Sequence, residues 1–425
     1  TSADCNVALG AYSLANNTSA DLNTALGACS MYTNATGANN VAVGYGSLYS
    51  NTGSDNTAVG SGALDANTSA VNNTAVGKNA MGANTTGHRN TSVGKDSMAV
   101  NTTGCCNVSV GWGSLGSNTT ATGNTAVGAV ALTSNTTGCK NAALGESALY
   151  TNTTGCCNVA VGRQALYANT TANDNTAVGN NALFANTTGC QNTALGFNTL
   201  ATNISGCQNV AIGMKALDSQ TTGTGNTALG NESLTVVTTG SYNTGTGWLA
   251  GVDVTTGSNN SFLGRDAGRT GSPGGSITTG NDTIVLGDEH VTDLFCADTS
   301  ISSSDLRDKT DIEDFTYGLD FVTKLKPKTY KWDKRAWYIS KNKTKEDLLN
   351  ATPDGSKKKP KVHIGFMAQD VLALEKEIGF SNNKNDMLMV NLTEDETQYG
   401  LKYERLVPVL VNAIKELTKR IKDLE

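Results

Sequence analysis

The residues of this chain that could do chemistry lie in one short polar stretch, 301–312, which contains Ser304 and Lys309. A serine hydroxyl becomes a nucleophile when a neighbouring group accepts its proton, and a lysine can be that base where burial favours its neutral form. The same residues also suit a helix start, with Ser304 or Asp305 as the N-cap and Lys309 as a solvated side chain. Spacing alone leaves both interpretations open, because a serine and a lysine five residues apart occur often by chance.

The same stretch marks a change in composition. Residues 1–300 carry 8 Lys+Arg and 16 Asp+Glu, whereas residues 301–425 carry 23 and 21. The upstream part is a low-charge array of Gly, Asn, Thr and Ala, and the downstream part has the composition of an ordinary folded domain. A formal net charge of -6 offers no basic surface, which disfavours nucleic-acid binding. No run of about 18 apolar residues is present, so the sequence predicts no membrane span.

Four blocks follow one another in the downstream part: SDLRDK at 304–309, LKPKTYKW at 325–332, HIGFMAQDV at 363–371 and LVPVL at 406–410. Together they resemble the C-terminal intramolecular chaperone domain of phage endosialidase tailspikes and related tail fibres. The resemblance implies a domain that forms a trimer, guides the folding of the fibre before it, and then cuts itself off by a Ser-Lys dyad.

Carried over position by position, the resemblance implies that Ser304 is the nucleophile, Lys309 is the base and the bond between Ser303 and Ser304 is cut. The serine would act once, on its own chain, as a single-turnover peptidase, and no turnover of an external substrate is expected. Asp308 departs from the family, which usually has an apolar residue between the arginine and the lysine. A carboxylate there stabilises the protonated lysine, so we expect it to slow the cut.

The upstream array is a 17-residue repeat, NTAVGxxxLxxNTTGxx, seen almost unmodified at 175–191. Each repeat has one glycine at a fixed position, here called the repeat glycine, and an asparagine four residues before it, the repeat asparagine. The repeat glycines are Gly10, Gly27, Gly44, Gly60, Gly77, Gly94, Gly111, Gly128, Gly145, Gly162, Gly179, Gly196, Gly213, Gly230, Gly247 and Gly264. The NTAVG run predicts a short strand. The NTTG run predicts a turn, in which Asn and Gly take the left-handed backbone region.

Such a repeat predicts a parallel β-solenoid, or β-roll, of about 16 coils in which identical positions stack in columns. No proline precedes Pro273, as stacked strands require. Stacked asparagines and threonines are expected to satisfy one another's hydrogen bonds. One thin coil has few large side chains, so we expect three chains to close the core together. The array also resembles the left-handed parallel β-roll heads of trimeric autotransporter adhesins, which have a comparable SVAIG run.

Most of the ten cysteines recur at two positions of the repeat. Cys105, Cys139, Cys156, Cys190 and Cys207 come two residues before the repeat asparagine, and Cys5, Cys106 and Cys157 come one before it. Two pairs lie one repeat apart, Cys139 with Cys156 and Cys190 with Cys207, and are candidate disulfides between coils. The adjacent cysteines 105–106 and 156–157 are candidates for links between chains. A column of free, half-buried thiols is the alternative, because fibres assemble in a reducing cytoplasm.

Aromatic residues also recur, since Tyr150, Tyr167 and Phe184 hold the same position in consecutive repeats. Such a column is a candidate for stacking against the sugar rings of a receptor glycan, or for packing between coils. The three histidines are scattered and no cysteine spacing matches a zinc ribbon, so neither a metal nor a cofactor is predicted.

The sequence after the repeats predicts a capping strand at 281–287, a lysine-rich loop at 342–361, helices near 321 and from 365, and a final heptad helix. The apolar residues of that helix are spaced 3-4-3-4-3 and form a predicted trimeric coiled-coil seam: Val407, Leu410, Ile414, Leu417, Ile421 and Leu424. An isolated helix of this length is marginal, so association must stabilise it.

The sequence therefore predicts a mostly β homotrimer with four parts: a solenoid shaft at 1–268, a cap and neck at 269–303, an α+β chaperone and autoprotease at 304–402, and a coiled-coil helix at 403–425. The predicted function is that of a structural, host-attachment tail fibre or tailspike of a bacteriophage virion, assembled in the host cytoplasm. Expected partners are two further copies of the chain, a host-surface receptor such as a glycan, and other tail proteins bound through a region that precedes Thr1.

Two other functions share some of these sequence features. A trimeric surface adhesin of a bacterial cell would share the repeats, but the charged heptad helix at 401–425 favours the tail fibre. A glycan-degrading spike requires a pair of catalytic carboxylates, and the repeats carry few acids, none of which recur in facing columns.

Overall fold

The computed structural model describes residues 3–291, 309–339 and 344–425, apart from the side chain of residue 385. The chain divides into two compact units, one made of Thr1–Arg265 with Thr278–Ile284 and the other of Asp266–Ile277 with Val285–Glu425. Most strands belong to one parallel sheet: β1 (Val7–Leu9), β2 (Thr24–Leu26), β3 (Val41–Val43), β4 (Thr57–Val59), β5 (Thr74–Val76), β6 (Thr91–Val93), β7 (Val108–Val110), β8 (Thr125–Val127), β9 (Ala142–Leu144), β10 (Val159–Val161), β11 (Thr176–Val178), β12 (Thr193–Leu195), β13 (Val210–Ile212), β14 (Thr227–Leu229), β15 (Thr244–Thr246), β16 (Ser261–Leu263) and β17 (Ile284–Leu286).

Each repeat strand pairs in parallel with the strand one coil further on, always in the same register. In β4 and β5, Ala58 lies opposite Ala75, and the one step of 16 residues places Val43 opposite Val59. The central residue of the strand is buried and its neighbours face outward, as the two-residue period of a strand requires. The structure thus confirms a mostly β, parallel solenoid, with about 15 turns.

A single chain closes the interior of each coil. The residue four positions after the repeat glycine is fully buried in most coils: Met31, Leu48, Leu64, Met81, Met98, Leu115, Leu132, Leu149, Leu166, Leu183, Leu200, Leu217 and Leu234. Its backbone is left-handed, with φ of 51° at Leu64. That conformation costs about 1–2 kcal/mol, whereas burying a leucine stabilises by about 1.5–3 kcal/mol. Burial therefore outweighs the strain. Because these side chains are fully buried within one chain, the expectation that three chains are needed to close the core is wrong.

Two columns of buried asparagines join successive coils. In the column of repeat asparagines, Asn107 donates its backbone N–H to Asn90 Oδ1 at 2.9 Å and its Nδ2 to the carbonyl of Ala121 at 2.9 Å. In the column of NTTG asparagines, Asn101 Nδ2 donates to Asn84 Oδ1 at 2.8 Å. A buried amide needs such partners, so the predicted ladders are confirmed.

The glycine of the NTTG run serves close approach and not a left-handed backbone, so the predicted turn geometry is wrong. Positive φ occurs instead just before the repeat asparagine, as at Arg89 (57°), and after the repeat glycine. A Cβ on Gly87 would lie 2.3 Å from the carbonyl oxygen of Gly104 in the next coil. A side chain at this position would therefore push the coils apart.

The stack ends with residues 278–284, which continue the columns after a longer step of 23 residues. Thr283 donates its N–H to Asn260 Oδ1 at 3.0 Å, and Ser258 donates its N–H to Asn281 Oδ1 at 2.7 Å. Here Gly251 stands where other coils have a leucine, and the buried ring of Phe262 fills that space. The strand expected at 281–287 is β17.

The C-terminal unit contains four helices and two small antiparallel sheets in its described part. The helices are α1 (Leu319–Lys324), α2 (Lys345–Asn350), α3 (Ala368–Glu377) and α4 (Leu406–Lys422); β18 (Lys328–Tyr330) pairs with β19 (His363–Gly365), and β20 (Val390–Leu392) pairs with β21 (Tyr399–Leu401). Short 3₁₀ turns lie at Arg335–Tyr338, Lys384–Asp386 and Tyr403–Arg405. The core consists of Phe321, Val371, Met389, Val390, Leu406 and Val409.

The lysine-rich segment predicted as a loop contains α2. Thr344 caps this helix, because its hydroxyl accepts from the Asp347 N–H while the Asp347 carboxylate accepts from the Thr344 N–H. In the described ranges, no helix combines the length and the apolar character that crossing a bilayer would require.

Candidate functional site

Helix α4 presents two apolar faces that differ in burial. The predicted seam is exposed, with Val407 at 57%, Leu410 at 44% and Ile414 at 62%. Leu417, Ile421 and Leu424 continue it at 45%, 58% and 88%, although Leu424 lies beyond the end of α4. Exposed apolar side chains aligned in this way form a candidate surface for association.

A neighbouring face of α4 fixes the helix to its own unit. Leu406, Val409 and Ala413 are buried there, and Leu406 and Val409 belong to the core. Asn412 Nδ2 donates to the carbonyl of Phe315, and Glu416 Oε2 accepts the N–H of Leu319 at 3.2 Å, at the start of α1. At about 100° per residue, this inner face lies roughly a quarter-turn from the seam, whose side chains it leaves exposed.

Glu375 of α3 is a fully buried carboxylate that organises this unit. It accepts the backbone N–H groups of Met389 at 2.7 Å, Val390 at 3.1 Å and Leu388 at 3.3 Å, together with the hydroxyl of Ser381. Several donors are what make a buried carboxylate tolerable. The sequence does not indicate this role, because a glutamate in a charged helix is usually solvated.

The segment that precedes the predicted cleavage site packs against residues that follow it. The carbonyl of Glu289 accepts from Lys334 Nζ at 2.8 Å and from the indole Nε1 of Trp337 at 3.2 Å. Trp337 is buried, and burial lowers the pKa of Lys334, although the carboxylates of Glu289 and Asp288 act to raise it. These contacts lie within the C-terminal unit and were not foreseen from the sequence.

A second connection of the same kind involves Asp395. One of its oxygens accepts the Ser276 N–H at 3.0 Å, and the other accepts the hydroxyls of Thr393 and Thr397 at 2.6 and 2.8 Å. Burial acts to raise the pKa of Asp395, but these hydrogen bonds outweigh it and hold the pKa below its usual value. Residues 266–277 are thereby tied to the chain that follows Ser304.

Asp288, Glu289 and His290 bring potential metal-ligand atoms within 4.8 Å of one another. The Asp288 carboxylate already accepts from the backbone N–H of His290 at 2.9 Å and contacts its ring at 3.2 Å. Lys334 supplies a positive charge beside the two acids. Because the cluster has hydrogen bonds and a cation of its own, we assign it a structural role.

The predicted dyad cannot be placed as a pair, since Ser303, Ser304 and Asp308 lie outside the described residues. Lys309 is described, and it is exposed in an irregular segment before α1. The roles of Ser304 and Lys309 stay predictions.

The structure brings together two of the cysteine pairs and the aromatic column on the shaft. Cys139 and Cys156 are neighbours, as are Cys190 and Cys207, whereas Cys106 and Cys157 are exposed. The ring of Tyr167 stacks on Tyr150 and on Phe184, with centroids 5.1 Å apart in both cases. Both faces of Tyr167 are thus covered by its neighbours, which favours packing between coils over a sugar contact at that ring.

Comparison with known proteins identifies the C-terminal part. Residues 304–380 match the family described as the chaperone of endosialidase. That match, with the parallel solenoid before it, fits a tail-fibre or endosialidase-type protein with a C-terminal chaperone domain. Neither the curated proteins nor the solved structures gave a match.

Proposed function

We propose that the chain is a bacteriophage tail fibre or tailspike that attaches the virion to its host, and that its C-terminal region is a trimerising, self-cleaving intramolecular chaperone. The match of residues 304–380 to the chaperone of endosialidase supports this function. The observation that carries it is the exposed seam of α4, because a helix already packed on one face has no use for a second apolar face unless other chains cover it.

The seam suits three copies of α4. Its 3-4 spacing is that of the a and d positions of a coiled coil, and the helix has 17 residues, too few to be stable by its seam alone. Anchoring by Leu406, Val409 and Ala413 supplies the missing stability. Each chaperone therefore offers a preformed helix, and the three helices need only meet.

Trimerisation at the C-terminus would also set the register of the shaft. The coils are nearly interchangeable, so a shift by one coil would replace one alanine, leucine or asparagine by another of the same kind. A unique contact at one end removes that ambiguity for all coils. Outer-face residues just before the repeat glycines, such as Leu144 and Leu195, are 41% and 45% exposed and would then meet between chains.

The cut itself would be an acyl shift from the peptide nitrogen to Ser304 Oγ, followed by hydrolysis of the ester. Ser304 Oγ attacks the carbonyl carbon of Ser303 while Lys309 accepts the hydroxyl proton, and the peptide nitrogen leaves as an amine that takes a proton. Water then hydrolyses the ester and regenerates the hydroxyl. Two sets of contacts join segments on both sides of the cut: those of Glu289 with Lys334 and Trp337, and that of Ser276 with Asp395. After the cut, these contacts would keep the C-terminal piece bound until they break.

Denaturing electrophoresis tests the proposed self-cleavage. The wild-type chain is expected to yield a separate piece that begins at Ser304, whereas Ser304→Ala and Lys309→Ala stay whole. Ser302→Ala is the matched control and should be cut like the wild type, because the neighbouring hydroxyl has no role. Whole chains for the wild type and for every variant, or cleavage that persists in Ser304→Ala, would contradict the self-cleavage.

A further inference from the structure

Two pairs of cysteines on the shaft have their sulfur atoms in contact. Cys139 Sγ lies 3.1 Å from Cys156 Sγ, and Cys190 Sγ lies 2.8 Å from Cys207 Sγ. All four are half-buried free thiols, and the members of each pair are 17 residues apart, in successive coils. Backbone hydrogen bonds between the coils hold both pairs in place. The Cys157 N–H donates to the carbonyl of Cys139 at 3.0 Å, and the Gln208 N–H donates to the carbonyl of Cys190 at 3.0 Å.

The column that holds these cysteines has a defined hydrogen-bonding task. Each side chain of the column accepts a hydrogen bond from the backbone N–H of the residue at the same position one coil earlier. Ser258 Oγ accepts from the Ser241 N–H at 3.1 Å, and Asn173 Oδ1 accepts from the Cys156 N–H at 2.7 Å. Cys156 Sγ accepts the Cys139 N–H in the same way, at 3.0 Å. Because sulfur is a weak acceptor, this hydrogen bond explains why serine or asparagine occupies the column but does not explain why cysteine does.

The placement of the cysteines in this column points to a different role. Five cysteines occupy it, and four of them form two pairs in consecutive coils, while Cys105 precedes Thr122. Stacked residues in neighbouring parallel strands are about 4.8 Å apart, within the Cα separation of about 4.4–6.8 Å that a disulfide tolerates. Neither pair would need the coils to move before a bond forms.

We propose that Cys139–Cys156 and Cys190–Cys207 are sites of oxidative cross-linking, which become two disulfides between successive coils of one chain. The oxidant is a low-molecular-weight disulfide such as oxidised glutathione. One thiolate attacks that disulfide, forms a mixed disulfide and releases one thiol; the partner thiolate then attacks the mixed disulfide and releases the second thiol. Each cross-link therefore consumes one oxidant disulfide and yields two small thiols.

Each bond would close a ring of one coil, so that neither end of that coil can separate from its neighbour. The hydrogen bond with Cys156 and burial raise the pKa of Cys139, and the hydrogen bond with Cys207 and burial raise the pKa of Cys190. Since the thiolate is the reacting form, the cross-links are expected to form faster as the pH rises above neutrality.

The full-length protein provides the test. The chain is incubated with oxidised glutathione or with dithiothreitol, denatured without reductant, treated with N-ethylmaleimide and weighed by mass spectrometry. After reduction all ten cysteines should be labelled, and after oxidation four should be protected. Digestion should then give the peptides of Cys139 with Cys156 and of Cys190 with Cys207.

Single variants sharpen the result. Cys156→Ser and Cys207→Ser should each lose one cross-link, and both should fold, because serine is the natural residue of this column at Ser54, Ser241 and Ser258. Cys105→Ser is the matched control in the same column and should keep both. Labelling of all ten cysteines after oxidation, or peptides that join other cysteines or different chains, would overturn the proposal.

Discussion

In the shaft a buried side chain meets copies of itself, whereas in the C-terminal unit it meets different side chains. Leu149 lies between Leu132 and Leu166 of the neighbouring coils, and Asn107 bonds to Asn90. In the other unit, Phe321 packs with valine, methionine and leucine, and one glutamate, Glu375, accepts four different donors. Repeated alanines, leucines and asparagines close the shaft, whereas unlike side chains close the C-terminal core.

Because of this contrast, the shaft alone cannot carry the information for assembly. Identical layers stabilise one another but cannot distinguish one neighbour from the next, so the shaft does not specify its own register. A core of unlike residues has one arrangement, and it holds α4 in one orientation. The shaft is therefore expected to depend on the C-terminal unit for alignment, while the C-terminal unit is expected to fold without the shaft.

The largest effect is expected from charges in the seam. In the double variant Leu410→Lys and Ile414→Lys, two apolar side chains of each helix, worth roughly 2 kcal/mol each when buried, are replaced by charges that would face one another in the trimer. Light scattering should give the mass of one chain where the wild type gives three. The misaligned shaft should also become sensitive to protease.

The matched control for the seam is Val411→Lys. Val411 is as exposed as Leu410, at 44%, but lies off the seam, so this variant should remain a trimer. A double seam variant that stays trimeric would show that α4 is not the surface that gathers the chains. Monomers from Val411→Lys would show that the seam runs along a different face.

The second prediction separates the interior of a coil from its outer face. Leu149→Ala leaves a cavity in the buried column and should destabilise its neighbourhood by about 2–5 kcal/mol at every protein concentration. Leu144→Ala, in the same coil but 41% exposed, should matter only where chains pack together. Hydrogen exchange of the coils around residue 149, measured at two concentrations, distinguishes the two variants. Equal effects would contradict the closed interior of the single chain.

The third prediction concerns the asparagine columns. Asn107→Ala removes the acceptor of the Asn124 N–H and the donor to the Ala121 carbonyl, and each buried group left without a partner costs about 1–3 kcal/mol. Amides of the adjacent coils should exchange faster as a result. Ser117→Ala, an exposed residue of the same coil, is the control and should leave the exchange unchanged. Unchanged protection in Asn107→Ala would mean that the ladder does not hold the coils.

The features that can be predicted from the sequence are those that follow the 17-residue period, and the features that cannot are those that depend on contacts between distant parts of the chain. The spacing of the repeat glycines was enough to predict the strands and their register, because each residue's neighbours are copies one repeat away. The left-handed backbone at Leu64 was missed, because a leucine takes that conformation only when the buried column compensates it.

The C-terminal unit shows the same limit more strongly. The heptad spacing located the seam of α4, yet nothing near Glu289 in sequence indicates Trp337 as its partner. The loop predicted at 342–361 overlooked a local signal, since Thr344 followed by Asp347 is a capping pair. Roles that depend on residues 303–308 stay predictions, because those residues lie outside the described part of the chain.

The smallest effect is expected from acid, and it concerns the tie between residues 266–277 and the chain after Ser304. Hydrogen bonds from Ser276, Thr393 and Thr397 outweigh the opposing effect of burial and hold the pKa of Asp395 below its usual value of about 3.9. Such a group contributes stability that is present above that value and is lost as the pH falls through the lower pKa of the folded state. Below it the carboxylate is protonated and the bond from the Ser276 N–H weakens.

The exchange protection of the Ser276 amide, corrected for the intrinsic effect of pH, should therefore be constant above pH ~5 and fall in more acidic solution. Asp395→Asn should lower the protection at neutral pH and remove its dependence on acid. Asp314→Asn, which replaces an exposed carboxylate of the same unit, should leave the acid dependence as it is in the wild type. If Asp395→Asn keeps that dependence, a carboxylate other than Asp395 ties residues 266–277 to the chain that follows Ser304.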